Sequence, residues 1–210
     1  MHRDEPTLAD SSSELLLRAG FANTPESVTV LRASFSSDDP RHRILALRGL
    51  VRQSLATDDD WSVALGDHDV EVQREALTLI AYEDVETDAL IARMIEMLDD
   101  TDALVVDGAV FALGEHLVND AVDRLCDVAM HHDDARCRES AVAALGAIGD
   151  DRARTAIFAA LNDKPPVRRR AIVSLSNFEG PDIDAALERA AEDRDWQVRA
   201  AVNQLGREPE

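Results

Sequence analysis

Apolar residues recur along this chain at helical spacing, and the spacing itself recurs. Six segments align: DPRHRILALRGLV from Asp39, DVEVQREALTLIA from Asp69, DALVVDGAVFALG from Asp102, DARCRESAVAALG from Asp134, KPPVRRRAIVSLS from Lys164 and DWQVRAAVNQLG from Asp195. Their starts lie 30, 33, 32, 30 and 31 residues apart. The fourth position is His42, Val72, Val105, Cys137, Val167 and Val198, and the eighth is Ala in five of six copies. The twelfth is Leu50, Ile80, Leu113, Leu145 and Leu175; the last copy is one residue short and places Leu205 at its eleventh position. Positions four, eight, eleven and twelve share one face of a helix, apolar throughout and small at its middle. The leading Asp is placed to cap that helix by accepting bonds from free backbone N–H groups, and Asp39-Pro40 adds proline at the first helical position.

A second helix precedes each of these. The expected spans are Thr24 to about Phe35, Asp58–Leu65, Asp88–Leu98, Asn119–Met130, Asp150–Leu161 and Pro181–Ala191. Leu90, Met94, Met97 and Leu98 fit one buried stripe, and Gly66, Gly149 and Gly180 are read as helix stops. Ser11 with Glu14 reads as a capping box opening an extra N-terminal helix, Ser13–Ala19. Residues 1–10 are expected to be disordered and 207–210 frayed. The unit is a helical hairpin, with repeats at roughly 24–54, 58–82, 85–116, 119–148, 150–178 and 181–206. One hairpin cannot bury its stripe alone, but a neighbour can. The expected fold is therefore all-α: a right-handed α-solenoid of about six hairpins forming a single domain over residues 11–206.

The pattern D-x-x-V-R-x-x-A-x-x-A-L-G, clearest in DARCRESAVAALG and DWQVRAAVNQLG, resembles the short HEAT-like repeats first associated with phycobilisome lyases. The resemblance covers roughly residues 24–206 and implies the fold. Tetratricopeptide and ankyrin arrays have similar periods, but their W-x2-L-G-x2-Y and T-P-L-H signatures are absent. For function the resemblance implies several things at once, since such proteins include chromophore lyases, an iron-dependent hydroxylase and many scaffolds.

Composition narrows this. Hydrophobic residues make up 45% and aromatics 4%, with 32 Ala, so the core must be aliphatic and close-packed. There are 27 Asp, 15 Glu, 21 Arg and one Lys, giving a net charge of −20. Such a chain repels polyanions, which argues against nucleic acid and anionic membranes as partners. Excess Asp with almost no Lys fits a protein adapted to high salt, where the Debye length of about 3 Å screens self-repulsion; an acidic docking surface for a basic partner is the competing explanation. No run reaches the length of a membrane span, and the start shows no apolar h-region, so a cytoplasmic location is expected. Cys126 and Cys137 are expected to be buried thiols.

Catalytic chemistry is sparse. In the hydroxylase the resemblance points to His-Glu iron-ligand pairs just after the V-R positions. Here those places hold Ile44-Leu45, Arg74-Glu75, Asp107-Gly108, Glu139-Ser140, Arg169-Arg170 and Ala200-Ala201. Glu75 alone matches, and one carboxylate does not hold a di-iron site. His131, His132, Asp133 and Asp134 cluster near Cys126 and Cys137 without the spacing of a closed zinc motif. No Gly-rich phosphate loop or nucleophile elbow is present. The expectation is a non-enzyme without cofactor or metal.

Recognition is expected on the concave surface formed by the second helices. Against the acidic background stand Arg41–Arg52, with Arg41, Arg48 and Arg52 on one face, and the segment KPPVRRR with Arg169 and Arg170. Cations at a helix N-terminus oppose the dipole by a few tenths to about 1 kcal/mol each, so the second cluster asks for an explanation. One is bidentate pairing with acids of adjacent repeats; the other is docking of an acidic partner protein. The candidate contact residues are Arg41, Arg48, Arg52, Arg74, Arg169, Arg170 and the aromatic Phe111. The leading expectation is a protein-binding scaffold or adaptor. The alternatives are a lyase-like enzyme subunit or chaperone acting on a client protein, and an archaeal taxis or regulatory adaptor.

Overall fold

A computed structural model describes residues 8–84 and 87–206, with side chains from Ser12 onward. The described residues form thirteen α-helices and no strand. They fall into two compact units, one ending at Arg93 and one beginning at Met94. The first holds α1 (Leu8–Ala22), α2 (Pro25–Ala33), α3 (Pro40–Arg52), α4 (Asp58–Leu65) and α5 (Val70–Ile80). The boundary falls within α6 (Asp88–Glu96). The second holds α7 (Ala103–Glu115), α8 (Val122–His131), α9 (Ala135–Ile148), α10 (Arg154–Ala160), α11 (Pro165–Leu175), α12 (Pro181–Ala190) and α13 (Trp196–Leu205). Within the first unit α1 packs on α3 and α3 on α5; within the second α7, α9, α11 and α13 pack side by side in that order.

The leading Asp of the repeat starts five of the six second helices. Asp39, Asp69, Asp102, Asp134 and Asp195 each accept the backbone N–H two residues on, at 2.8–2.9 Å. Each such cap is worth about 1 kcal/mol. Lys164 cannot cap, and α11 instead starts on Pro165, whose fixed φ suits the first helical turn. Single turns of 3-10 helix fill out the edges of the first helices, at Ser34–Ser36, Met97–Asp99, Asn119–Ala121 and Asp151–Ala153.

The apolar face of the repeat is the core. Val72, Val105, Cys137 and Val167, the column of Ala46, Ala76, Ala109, Ala141 and Ala171, and the Leu/Ile column are sealed from solvent. So is a ninth-position column that the pattern left unremarked: Leu47, Leu77, Val110, Val142 and Ile172. Small residues bring the second helices into near backbone contact. A Cβ on Gly146 of α9 would lie 2.5 Å from the Cβ and 2.8 Å from the Cα of Ser174 on α11. Ser174 in turn donates to the Val142 carbonyl at 2.8 Å.

Three expectations change. The first helix begins at Leu8 and runs through the serines, so Ser11 is not its cap and residues 8–10 are helical. Serine costs a helix only about half a kcal/mol, less than packing of Leu16 and Ala19 returns. Residues 1–7 and 207–210, expected to be disordered and frayed, lie outside the described residues. Gly180 does not end a helix. α11 stops at Ser176, and Gly180, at φ +138°, turns the chain into α12 through Pro181. Gly66 and Gly149 do sit at helix ends, Gly149 in the left-handed conformation.

Candidate functional site

The arginines divide into two groups by burial. At the fifth position of the repeat, Arg43 reaches Asp67 through two forked bonds of 2.7 and 2.8 Å and gives a third to the Ser37 carbonyl at 2.7 Å. Arg138 does the same with Asp163 and the His132 carbonyl, and Arg168 with Asp193 and the Asp163 carbonyl. The Asp lies 24 or 25 residues downstream, in the loop between the two helices of the next repeat. Asp67 and Asp193 also accept the N–H of the next capping Asp, so one carboxylate ties clamp to cap. The Arg43–Asp67 side chains are 3% and 5% exposed. Burial pushes the Asp67 carboxyl up, but the hydrogen bonds from Arg43 and the Asp69 N–H pull it below its ordinary value. These pairs are framework.

The candidate contact arginines are more open, and each has a neighbour. Arg41 pairs with its own capping Asp39, and Arg74 with Glu71 in the preceding turn. Arg48 forks onto Glu75 of the next repeat at 2.6 and 2.8 Å, so the one carboxylate that matched the hydroxylase pattern is engaged in an ion pair. Arg52 lies 4.1 Å over the Phe21 ring, a cation–π contact. Arg169 and Arg170 both turn to Glu139 of α9, at 3.5 and 3.8 Å. Pairing across repeats is therefore what offsets the dipole cost in KPPVRRR: Arg168 finds Asp193 and the other two share Glu139.

On the second unit, the solvent side of the second helices carries two depressions. One, about 420 Å³, is lined by Phe111, Glu115, Glu139, Ala143, Ala147 and Arg170 on α7, α9 and α11. The other, about 390 Å³, is lined by Arg169, Arg170, Val173, Trp196, Ala200 and Gln204 on α11 and α13. Phe111 is 40%, Val173 41% and Trp196 66% exposed.

The HEAT-repeat family model matches residues 59–146 and 122–206, more than half of the chain. The chain belongs to the HEAT-repeat family. No curated protein matches it. Among solved structures, YibA of Escherichia coli aligns at a TM-score of 0.63 with 16% identity, covering 96% of this chain and 75% of YibA. A designed armadillo repeat protein in complex with the peptide (KR)4 aligns at 0.53 with 16% identity, covering 92% and 97%. A computationally designed armadillo repeat protein for modular peptide recognition aligns at 0.51 with 16% identity, covering 90% and 96%. At these identities the likeness shows the helical-repeat fold alone.

The other chemistry-bearing residues of this HEAT-repeat chain sit in structural roles. Both thiols are free and buried. Burial pushes Cys137 up to about 11, and its Sγ lies 3.1 Å from the Ala103 carbonyl; burial likewise raises Cys126. Neither is poised as a thiolate nucleophile. His132 Nδ1 accepts the Asp134 N–H at 3.1 Å, acting as a turn residue, and His116 closes α7 as its C-cap. Among the described residues no group of three His, Cys, Asp or Glu is arranged to hold a metal ion, and no helix is long and apolar enough to cross a membrane. Trp196 and Val173 were not among the expected contact residues. Trp196 follows a capping Asp at the repeat's second position, a column that reads Pro, Val, Ala, Ala, Pro, Trp. Its outward direction was legible, but no periodicity flagged it.

Proposed function

We propose that this chain is a non-catalytic protein-interaction scaffold that receives another protein on the solvent side of its second helices. The observation that carries the reading is the row of Phe111, Val173 and Trp196, open on one face of a stack whose other large apolar second-helix side chains are mostly sealed. Exposed aromatics beside arginines are the usual anchors of protein interfaces. The armadillo neighbours, one bound to a peptide and one designed for peptide recognition, agree with a polypeptide partner.

Arg41, Arg48, Arg52, Arg74, Arg169 and Arg170 supply the charged contacts, and the partner is acidic there. Their present ion pairs do not prevent this. Exposed pairs are worth about 0–1 kcal/mol, so a partner's carboxylate exchanges with Glu75 or Glu139 at little cost. The net charge of −20 is read as adaptation to high salt and the location as cytoplasmic.

The test is affinity capture from the source cells at their own salt concentration. The wild type is compared with Arg48→Glu, Arg52→Glu, Arg169→Glu and Arg170→Glu combined. A stoichiometric protein retained by the wild type and lost in the variant, with helical circular dichroism unchanged, is expected. Equal retention, or none by the wild type, overturns the reading.

A further inference from the structure

We infer that the second unit binds an extended peptide segment carrying two apolar side chains about six residues apart with a carboxylate midway between them. This deepens the scaffold reading and rests on it. The inference comes from how the two depressions share a wall. Arg170 borders both. Phe111, Ala143 and Ala147 make the first apolar, and Val173, Trp196 and Ala200 the second.

Between them charge does not balance. Two guanidinium groups, Arg169 and Arg170, face one carboxylate, Glu139. Arg170 stands 3.8 Å from it, beyond hydrogen-bonding reach, and its Nε is buried without a hydrogen-bond partner. Arg169 adds only a long 3.4 Å contact to the Gln197 side chain. Arg43, Arg138 and Arg168, by contrast, each have a carboxylate to themselves at 2.6–2.9 Å. The centre of the face therefore holds one positive charge more than its carboxylate offsets, and the two guanidinium groups, on side chains 40% and 41% exposed, can donate charge-assisted bonds to a second carboxylate.

The net charge of −20 works against an acidic ligand only at range. At 0.15 M salt the Debye length is about 8 Å, so the arginine pair outweighs remote carboxylates. The ends differ from the centre. Glu115 lies at the lip of the α7–α9 depression, which places the ligand's acid at the middle and not at that end.

Spacing follows from the helices. Neighbouring helix axes lie about 8–10 Å apart, and the α7–α9 and α11–α13 grooves are two such steps apart, about 16–20 Å. A peptide in the extended polyproline II conformation advances about 3.1 Å per residue with three residues per turn, so side chains three and six residues on face the same side, which gives about six residues between the apolar anchors with the acid midway.

The experiment is panning of a phage-displayed library of random dodecapeptides on the immobilised full chain, at the lowest salt concentration at which its helical circular dichroism is intact. Expected is a consensus with Asp or Glu flanked about three residues either side by large apolar residues, the acid favoured over Lys or Arg by about tenfold or more. Arg169→Gln with Arg170→Gln should erase the acid preference and keep the apolar anchors; Trp196→Ala and Phe111→Ala should each erase one anchor and keep the acid. Arg169→Glu with Arg170→Glu should turn the preference to Lys or Arg. A basic or charge-indifferent consensus, or one unchanged on the glutamine variant, overturns the inference. So does failure to enrich any sequence; if affinity capture still retains a partner, only this inference falls, and if it retains none, the scaffold reading falls too.

Discussion

Replacing Arg43 by Met removes three hydrogen bonds from a place with almost no water. The guanidinium gives two bonds to Asp67 and one to the Ser37 carbonyl, and both charged side chains are 5% exposed or less. The substitution leaves the Asp67 carboxylate buried with only the Asp69 N–H as a strong donor. Breaking a buried pair from one side costs about 3–5 kcal/mol. A folded unit of this size has about 5–14 kcal/mol in all, so about a fifth or more of its stability is at stake. With a urea slope of about 2 kcal/mol/M, the midpoint should fall by about 1.5–2.5 M. Trp61, buried in α4 of the same unit, reports the transition by fluorescence once Trp196 is replaced by Phe. Arg41→Ala, which breaks the exposed pair with Asp39, is the internal control and should cost about 1 kcal/mol or less. Arg43→Met with Asp67→Leu should cost clearly less than the two single changes added, because no charge is then left unpaired. An Arg43→Met cost no larger than that of Arg41→Ala, or additive single changes, would refute the clamp as framework.

Gly146→Ala should destabilise the second unit by about 1–3 kcal/mol in urea unfolding, since the new methyl meets Ser174 backbone and Cβ and overrides alanine's helix preference of about 1 kcal/mol; a stabilised variant would show that α9 and α11 are not in close contact. Cys137 should resist iodoacetamide at pH 8 in the native protein and react on unfolding, because burial holds its thiol at about 11; mass-mapped labelling of native Cys137 at the rate of a free thiol would contradict this. The capping carboxyls of Asp39 and Asp134 are held down to about 2, chiefly by hydrogen bonds from Arg41 and Arg136. A carboxyl lowered by folding stabilises above its unfolded value near 3.9. That contribution should persist through neutral pH and drain away as pH falls from about 4 to about 2; carbon-detected NMR titration midpoints near 3.9 for both would refute it.

The repeat made the helical hairpins, their caps and the aliphatic core legible, because each depends on residues within one turn or one face. The clamp was half legible. The R of the D-x-x-V-R pattern marks the fifth-position arginines, but their partners Asp67, Asp163 and Asp193 lie in the next repeat's loop, and only packing brings them near. Pairing of the KPPVRRR arginines with acids of adjacent repeats, one of the two explanations the sequence offers, is found, though Arg169 and Arg170 meet one carboxylate between them. The start of α1 differs from the expectation because local serine chemistry suggests a cap where the helix simply continues. Trp196 was not legible as a contact residue, because outward positions carry no periodic signal.

The near-total use of Arg over Lys, 21 to one, has a structural cause beside any compositional one. Each clamp uses Nε, Nη1 and Nη2 of one guanidinium at once, two directions for a carboxylate and one for a loop carbonyl. A lysine ammonium is a single point with no fixed fork and cannot bridge both sites from one rotamer. The same fork makes the exposed arginines exchangeable: Arg48 or Arg169 can turn from an internal glutamate to an external carboxylate without moving its helix. Burial decides which behaviour a given arginine shows. The sealed clamps cannot release their partners without stranding a charge, whereas the open ones lose about a kcal/mol at most. Stability in this fold thus draws on buried Arg–Asp pairs, and the recognition proposed above would draw on open Arg–Glu pairs; burial is what keeps the two uses apart.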